Sequence, residues 1–136
     1  MEFKYLLDTN VVSDLVRNPQ GEVFRQILKV GAGRVCTSIV VVCELRYGAR
    51  KKGSAKLTEQ LEAVLSALPV LSLEPDVDQH YAEIRTELER HGIPIGANDL
   101  LIAAHARAAD LTLITANTRE FHRVPGLSTK SWLKDA

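Results

Sequence analysis

The stretch that most constrains this chain is Tyr5-Leu6-Leu7-Asp8-Thr9-Asn10-Val11-Val12. Phe3 to Leu7 is a short apolar run of the kind shown by a strand buried on both faces. It turns abruptly into a carboxylate, a hydroxyl and an amide before apolar residues resume. A strand that delivers an Asp at its carboxyl end puts charge where open α/β sheets keep their ligand crevices. Asn10 or Thr9 can cap the helix that follows. Taken alone, Asp8 also reads as a plain helix cap, and only the carboxylates in similar settings downstream argue for more.

Downstream, helical and extended patterns alternate. Val11 to Val16 suits a short helix ended by Asn18-Pro19, and Val23, Phe24, Ile27, Leu28 and Val30 give a second that stops at Gly31-Ala32-Gly33. Arg34 to Thr37 is a strand candidate. Ser38 then caps a helix through Ile39, Val42, Leu45 and Tyr47, fading at Gly48 or shortly after. Leu57, Leu61, Val64, Leu65 and Leu68 mark another amphipathic helix ended by Pro69, and Val70 to Leu73 reads as a strand. Pro75-Asp76 begins a long helix, and Gly92-Ile93-Pro94-Ile95-Gly96 is a stiff loop. Asn98 is expected to cap an alanine-rich helix from Asp99 to Ala109. Leu111 to Thr115 is a strand, Asn117 to Phe121 a tight turn into a short helix, and Leu127 to Trp132 a last extended piece. Strands alternating with helices predict an α/β/α sandwich around a central, mostly parallel sheet of four to five strands, with residues 1–136 forming one domain. Right-handed crossovers bring the carboxyl ends of the strands to one edge.

That edge collects a polar constellation. Asp8 follows the first strand, Glu44 sits in the helix after the second, Asp99 opens the helix after Gly96, and Asn117 follows Leu113-Ile114-Thr115. Glu44 interrupts a greasy face, with Val40, Val41 and Gly48 as its helical neighbours. Carboxylates that face one another do not all stay ionised without compensation. Oxygen donors without a His or Cys cluster favour Mg²⁺ or Mn²⁺ over zinc. Each acid taken singly is also explained by a helix cap or a nearby Arg; the four together are explained less well.

Charge narrows the partners. With 17 basic and 17 acidic residues the net charge is zero, so a polyanion has to be gripped by a local patch. Arg46, Arg50, Lys51, Lys52 and Lys56 form a basic run with no acid between Glu44 and Glu59, and Arg119 and Arg123 flank Asn117. The same run is what a solvated helix end shows, because its dipole favours cations. With three Phe, three Tyr and one Trp, stacking on bases is limited, so any nucleic acid held by this patch is expected to be recognised by its folded shape. The longest apolar run, Ile39 to Cys43, is too short to span a bilayer, and the start lacks a secretory pattern; a cytoplasmic protein is expected. Cys36 and Cys43 read as buried structural thiols. His80, His91, His105 and His122 are scattered, and no nucleophilic Ser, Cys or His is needed.

These segments resemble one family over nearly the whole chain. Leu6-Leu7-Asp8-Thr9-Asn10, Ser38 with Cys43-Glu44-Leu45-Arg46-Tyr47-Gly48-Ala49, Arg85 with Leu88, Gly92 to Ala106, and Leu113 to Phe121 resemble, in order and spacing, the PIN-domain ribonucleases. Within them the likeness is to the VapC toxins of VapBC toxin–antitoxin modules. The resemblance implies a Mg²⁺-dependent endoribonuclease, with Mn²⁺ able to substitute, that cuts structured RNA such as a tRNA. It implies Asp8, Glu44 and Asp99 as the metal cradle, with Thr9, Asn10 and Thr115 in support. A fourth acid is usual in the family after the last-but-one strand; that position here is Asn117, which offers a carbonyl but no charge. The resemblance further implies a homodimer, a VapB-like antitoxin, and promoter DNA reached only through that antitoxin. Two other readings stand beside it. An aspartyl phosphotransferase would use Asp8 as nucleophile, yet Asn10 occupies the position where a second Asp is usual. A PIN fold weakened in catalysis would serve to bind its antitoxin.

Overall fold

The computed structural model describes residues 2–133. Its sheet is built from β1 (Tyr5–Leu7), β2 (Val35–Ser38), β3 (Val70–Leu71), β4 (Thr112–Ile114) and β5 (Thr129–Lys130). The strands lie in the order β3-β2-β1-β4-β5, and every pairing is parallel. Seven helices connect and cover them: α1 (Thr9–Arg17), α2 (Glu22–Val30), α3 (Ile39–Lys52), α4 (Ala55–Ala67), α5 (Val77–Arg90), α6 (Ala97–Ala108) and α7 (Thr118–Phe121). The result is the expected α/β/α sandwich, with five strands and no antiparallel edge.

Position in the sheet decides what the strands can present. β1 is central, and its Leu7 stands opposite Thr37 of β2 and Ile114 of β4. The chain runs outward from β1 through β2 to β3, then returns to the other side of β1 for β4. Such a reversal opens a crevice beyond the carboxyl ends of the strands. Leu6, Leu7, Cys36, Leu113 and Ile114 are fully buried, as are Ile102, Ala103, Ala104 and Ala106 of α6. The alanines leave α6 with no side chain beyond Cβ along that stripe, so its backbone lies close to the neighbours it packs on.

Several local expectations shift. α3 runs on past Gly48, where a side chain would meet nothing within 4 Å, and stops at Gly53, whose φ of 65° is open to glycine at little cost. The strand expected over Val70 to Leu73 is only Val70–Leu71. Asp8, and neither Thr9 nor Asn10, caps α1: its side chain accepts the Thr9 N–H. Asn98 lies inside α6 instead of capping it, because Gly96 takes the extended cap conformation two residues earlier and no side chain caps it. Cys36 is buried as expected, whereas Cys43 is exposed because it lies on the outer face of α3. Among the described residues no helix is long and apolar enough to cross a membrane.

Leu6 is 0% and Leu28 62% exposed. Leu6→Ala should therefore cost about 2–5 kcal/mol, through lost transfer energy and the cavity left in the central strand. Leu28→Ala should stay within about 0.5 kcal/mol of the parent. Urea midpoints at constant slope check the pair.

Candidate active site

Asp8 is the best-buried charge in the chain, only 3% exposed at the end of β1. Its backbone is fixed by the N–H donating to Ile114 O at 2.8 Å. Its carboxylate is fixed at both oxygens. Oδ1 accepts the Thr9 N–H at 2.8 Å, and Oδ2 accepts the Thr115 hydroxyl at 2.7 Å. Thr115 is itself buried, and its Oγ1 accepts the Asn117 N–H at 2.9 Å. Asn10 Oδ1 takes the Ala116 N–H at 3.1 Å, tying the first turn of α1 to the same loop. The strand-end turn and the loop after β4 are thus laced together around one carboxylate.

Glu44 reaches this centre from α3. The Thr9 hydroxyl donates to its Oε1 at 2.5 Å, and Asn98 Nδ2 to its Oε2 at 3.4 Å. Asp99, half-buried in the first turn of α6, follows Asn98 directly and shares a hydrogen bond with Glu120. Asp8, Glu44, Asp99 and Asn117, far apart in sequence, therefore do stand along one edge.

The structure adds a residue that the sequence reading passed over. Glu120, on α7, carries the fourth negative charge next to Asp99 and Asp8. Asn117 does not stand in for it: the Asn117 side chain is exposed, and its amide donates to Glu120 Oε2. Asn117 orients the acid; Glu120 is the acid. A signal was present, since Asn at a helix cap followed three residues later by Glu is the spacing that folds the Glu back toward the cap.

Four carboxylates this close leave their mark on protonation. Burial raises the Asp8 carboxyl, opposed by the Thr115 and Thr9 hydrogen bonds and reinforced by the charges of Glu44 and Glu120. Asp99 is pushed up to about 7, first by burial, then by its hydrogen bond and repulsion with Glu120, then by Asp8 and Glu44. Among the described residues no three His, Cys, Asp or Glu side chains already stand in a geometry that grips an ion. The acids feel one another's charge without closing on a common point, as like charges do with nothing positive between them.

The basic residues of the run after Glu44 are engaged at the surface or open to solvent. Arg46 is engaged by Glu62 at 2.8 Å in an exposed pair, and Lys51 lies 5.9 Å from the Tyr47 ring centroid. Arg50, Lys51, Lys52, Lys56, Arg119 and Arg123 are all exposed. Lys52 lines a groove with Arg17, Leu45, Ala49, Leu57 and Leu61, and Glu44 stands in the same lining.

Residues 5–127 match the PIN domain family. The chain is 39% identical over 131 residues to "Ribonuclease VapC2" of Haemophilus influenzae (strain ATCC 51907 / DSM 11121 / KW20 / Rd), covering 96% of this chain and 98% of that protein. It is 38% identical to the "tRNA(fMet)-specific endonuclease VapC" of Shigella flexneri, covering 95% and 98%. The chain belongs to the PIN-domain family, among the VapC ribonucleases. Its fold also overlays the VapC-family structure in VapBC2 from Rickettsia felis bound to a promoter DNA fragment, with a TM-score of 0.87, 34% identity and coverage of 97% and 99%. DNA-bound VapBC from Salmonella typhimurium gives 0.86 at 34% identity, with 96% and 99% covered. As a VapC-family PIN domain, the chain keeps its acids at the strand edge where β1, α3, α6 and α7 meet.

A raised carboxyl pKa binds protons more tightly in the folded state than in the unfolded one. The stability it contributes is present below the ordinary value of 3.8 and is lost as pH rises through about 7. Metal-free protein should therefore melt at a lower temperature at pH 8 than at pH 5, and Asp99→Asn should flatten that slope. Thermal melts in EDTA across this window check it.

Proposed function

We propose that this chain is a Mg²⁺-dependent endoribonuclease, with Mn²⁺ able to substitute, acting as the toxin of a VapBC-type module. The observation that carries the proposal is the set of four oxygen-donor acids, Asp8, Glu44, Asp99 and Glu120, whose charges act on one another at one strand edge. That donor set fits a hard divalent ion: carboxylates only, with no imidazole or thiolate among them. Asp8, Glu44 and Asp99 would hold it, with Glu120 beside Asp99. When bound, the ion supplies charge that neutralises the non-bridging phosphate oxygens and acidifies water next to it.

The chain's own residues do the rest. Thr115 and the Thr9 N–H hold Asp8 in one rotamer, so no reorganisation is needed when charge arrives. Thr9 and Asn98 hold Glu44 by one carboxylate oxygen each, which keeps its carboxylate in place beside Asp8. Arg50, Lys51, Lys52 and Arg119 are exposed cations for the RNA backbone, and Arg46 joins them by exchanging its surface partner at little cost.

The substrate is a structured RNA, a tRNA in keeping with the tRNA(fMet)-specific endonucleases of Shigella flexneri and Salmonella typhimurium. The silencing partner is a VapB-like antitoxin. Its amphipathic tail lies in the groove of Leu45, Ala49, Leu57 and Leu61, and a tail Arg meets the carboxylates in place of the ion. Promoter DNA is reached only through that partner. Ile39 and Tyr47, exposed on α3, offer apolar surface for a homodimer.

Incubation of total tRNA with the purified chain tests the proposal. Cleavage should require Mg²⁺, stop in EDTA, and leave 5′-phosphate and 3′-hydroxyl ends. Asp8→Asn should remove it by about 10²-fold or more while the fold persists. Cleavage by Asp8→Asn at the parent rate, or 2′,3′-cyclic phosphate ends formed in EDTA, would overturn it.

A further inference from the structure

His105 is a buried titratable side chain with no part in the chemistry above. It is only 2% exposed and interrupts the alanine stripe of α6. An imidazole in such a place costs free energy unless both ring nitrogens find partners. Both do. Nδ1 lies 2.7 Å from Ser38 Oγ, and the backbone of Ser72, just beyond β3, accepts from the other ring N–H. Ser38 Oγ in turn accepts the Val40 N–H at 3.1 Å, as the cap of α3. A neutral imidazole carries one N–H, and with that given to the Ser72 carbonyl, Nδ1 accepts from the Ser38 hydroxyl. The path runs from Val40 N–H through Ser38 and His105 to Ser72, in the neutral tautomer protonated at Nε2. Burial favours that neutral form, against the opposing pull of the Ser72 carbonyl and Glu74.

The location of this bridge gives it a consequence. Ser38 precedes Glu44 by six residues on α3, and Asp99 precedes His105 by six on α6. At 1.5 Å per residue, each carboxylate stands about 9 Å along its helix from the bridge. At the site end the same two helices meet again, where Asn98 donates to Glu44. α3 and α6 are therefore cross-tied at two levels, and a helix held at two levels does not pivot.

We infer that His105 is a positioning residue for the carboxylate site: through Ser38 it locks α3 to α6 and so sets the separation of Glu44 from Asp99. This rests on the active-site reading above, because it concerns where two of that site's acids stand. Loss of the bridge leaves, among the side-chain hydrogen bonds of the described residues, the long, exposed Asn98 contact as the tie between α3 and α6. The acids then drift apart, and an ion that must touch both is held less well.

Mn²⁺ binding, followed by electron paramagnetic resonance of the free ion, tests the inference without any turnover. His105→Ala should raise the Mn²⁺ dissociation constant by about tenfold. Ser38→Ala should do the same, and the double variant should be no worse than either single one, because one bridge is lost in all three. His105→Asn, whose Oδ1 takes the place of Nδ1, should recover most of the affinity. Val23→Ala, a buried change in α2, controls for general destabilisation and should leave the affinity unchanged. If His105→Ala does not fold, Ser38→Ala and His105→Asn carry the same comparison. Folded His105→Ala or Ser38→Ala binding Mn²⁺ like the parent, losses that simply add in the double variant, or an equal loss in Val23→Ala would overturn the inference. A parent chain that binds no Mn²⁺ would overturn the active-site reading and this inference together.

Discussion

The structure depends on a buried negative charge at the end of its central strand. Asp8 is taken out of water by the same packing that buries Leu6 and Leu7, and every nearby contact serves to hold it. An ionised carboxylate in such a place is costly unless it accepts hydrogen bonds or meets a cation. The chain supplies the hydrogen bonds from Thr9 and Thr115, and then surrounds Asp8 with Glu44, Asp99 and Glu120, which make the charge harder to bear. Such repulsion, kept in the fold, shifts protonation as it does where functional sites gather titratable groups.

The parallel sheet is what makes this gathering possible. Because β1, β2 and β4 end level with one another, three turns open at one edge; the helices leaving the second and third bring acids from positions 44 and 120 toward position 8, and α6 brings Asp99 there in its first turn. The two sides of the crevice are joined differently. Thr115 and Asn10 stitch the Asp8 turn to the loop after β4, whereas α3 and α6 are tied by Asn98 near the site and His105 away from it. The acids are thus carried by elements joined by polar contacts, buried at Thr115 and His105 and exposed at Asn98.

Much of this was legible in the residue order. The apolar run ending in Asp8, the alternation of strand and helix patterns, and Glu44 on a greasy helix face each follow from periodicity, and together they place three of the four acids. What escaped was decided by tertiary context. Glu120 sits in a helix of four residues, too short for a periodic signal, and Asn117 drew attention because it occupies the expected position of an acid. The residue pattern after Ser38 predicts a helix that fades at Gly48 or shortly after, and α3 runs four residues beyond it to Lys52, with Gly53 as its cap. Cys43 looks buried in an apolar run, but a helix that packs by one face turns every fourth residue outward. His105 is one of four scattered histidines in the sequence, and only the fold shows that its ring meets a helix cap 67 positions away.

The central claim is that these carboxylates form one electrostatic unit completed by a divalent cation. The most direct measurement is the titration of the Asp99 carboxyl by carbon-13 NMR, in metal-free protein and again with Mg²⁺. The account predicts a midpoint near 7 without metal, well above the ordinary 3.8, and a marked fall when Mg²⁺ is added. A midpoint at the ordinary value in metal-free protein, or a raised midpoint that Mg²⁺ leaves in place, would contradict it.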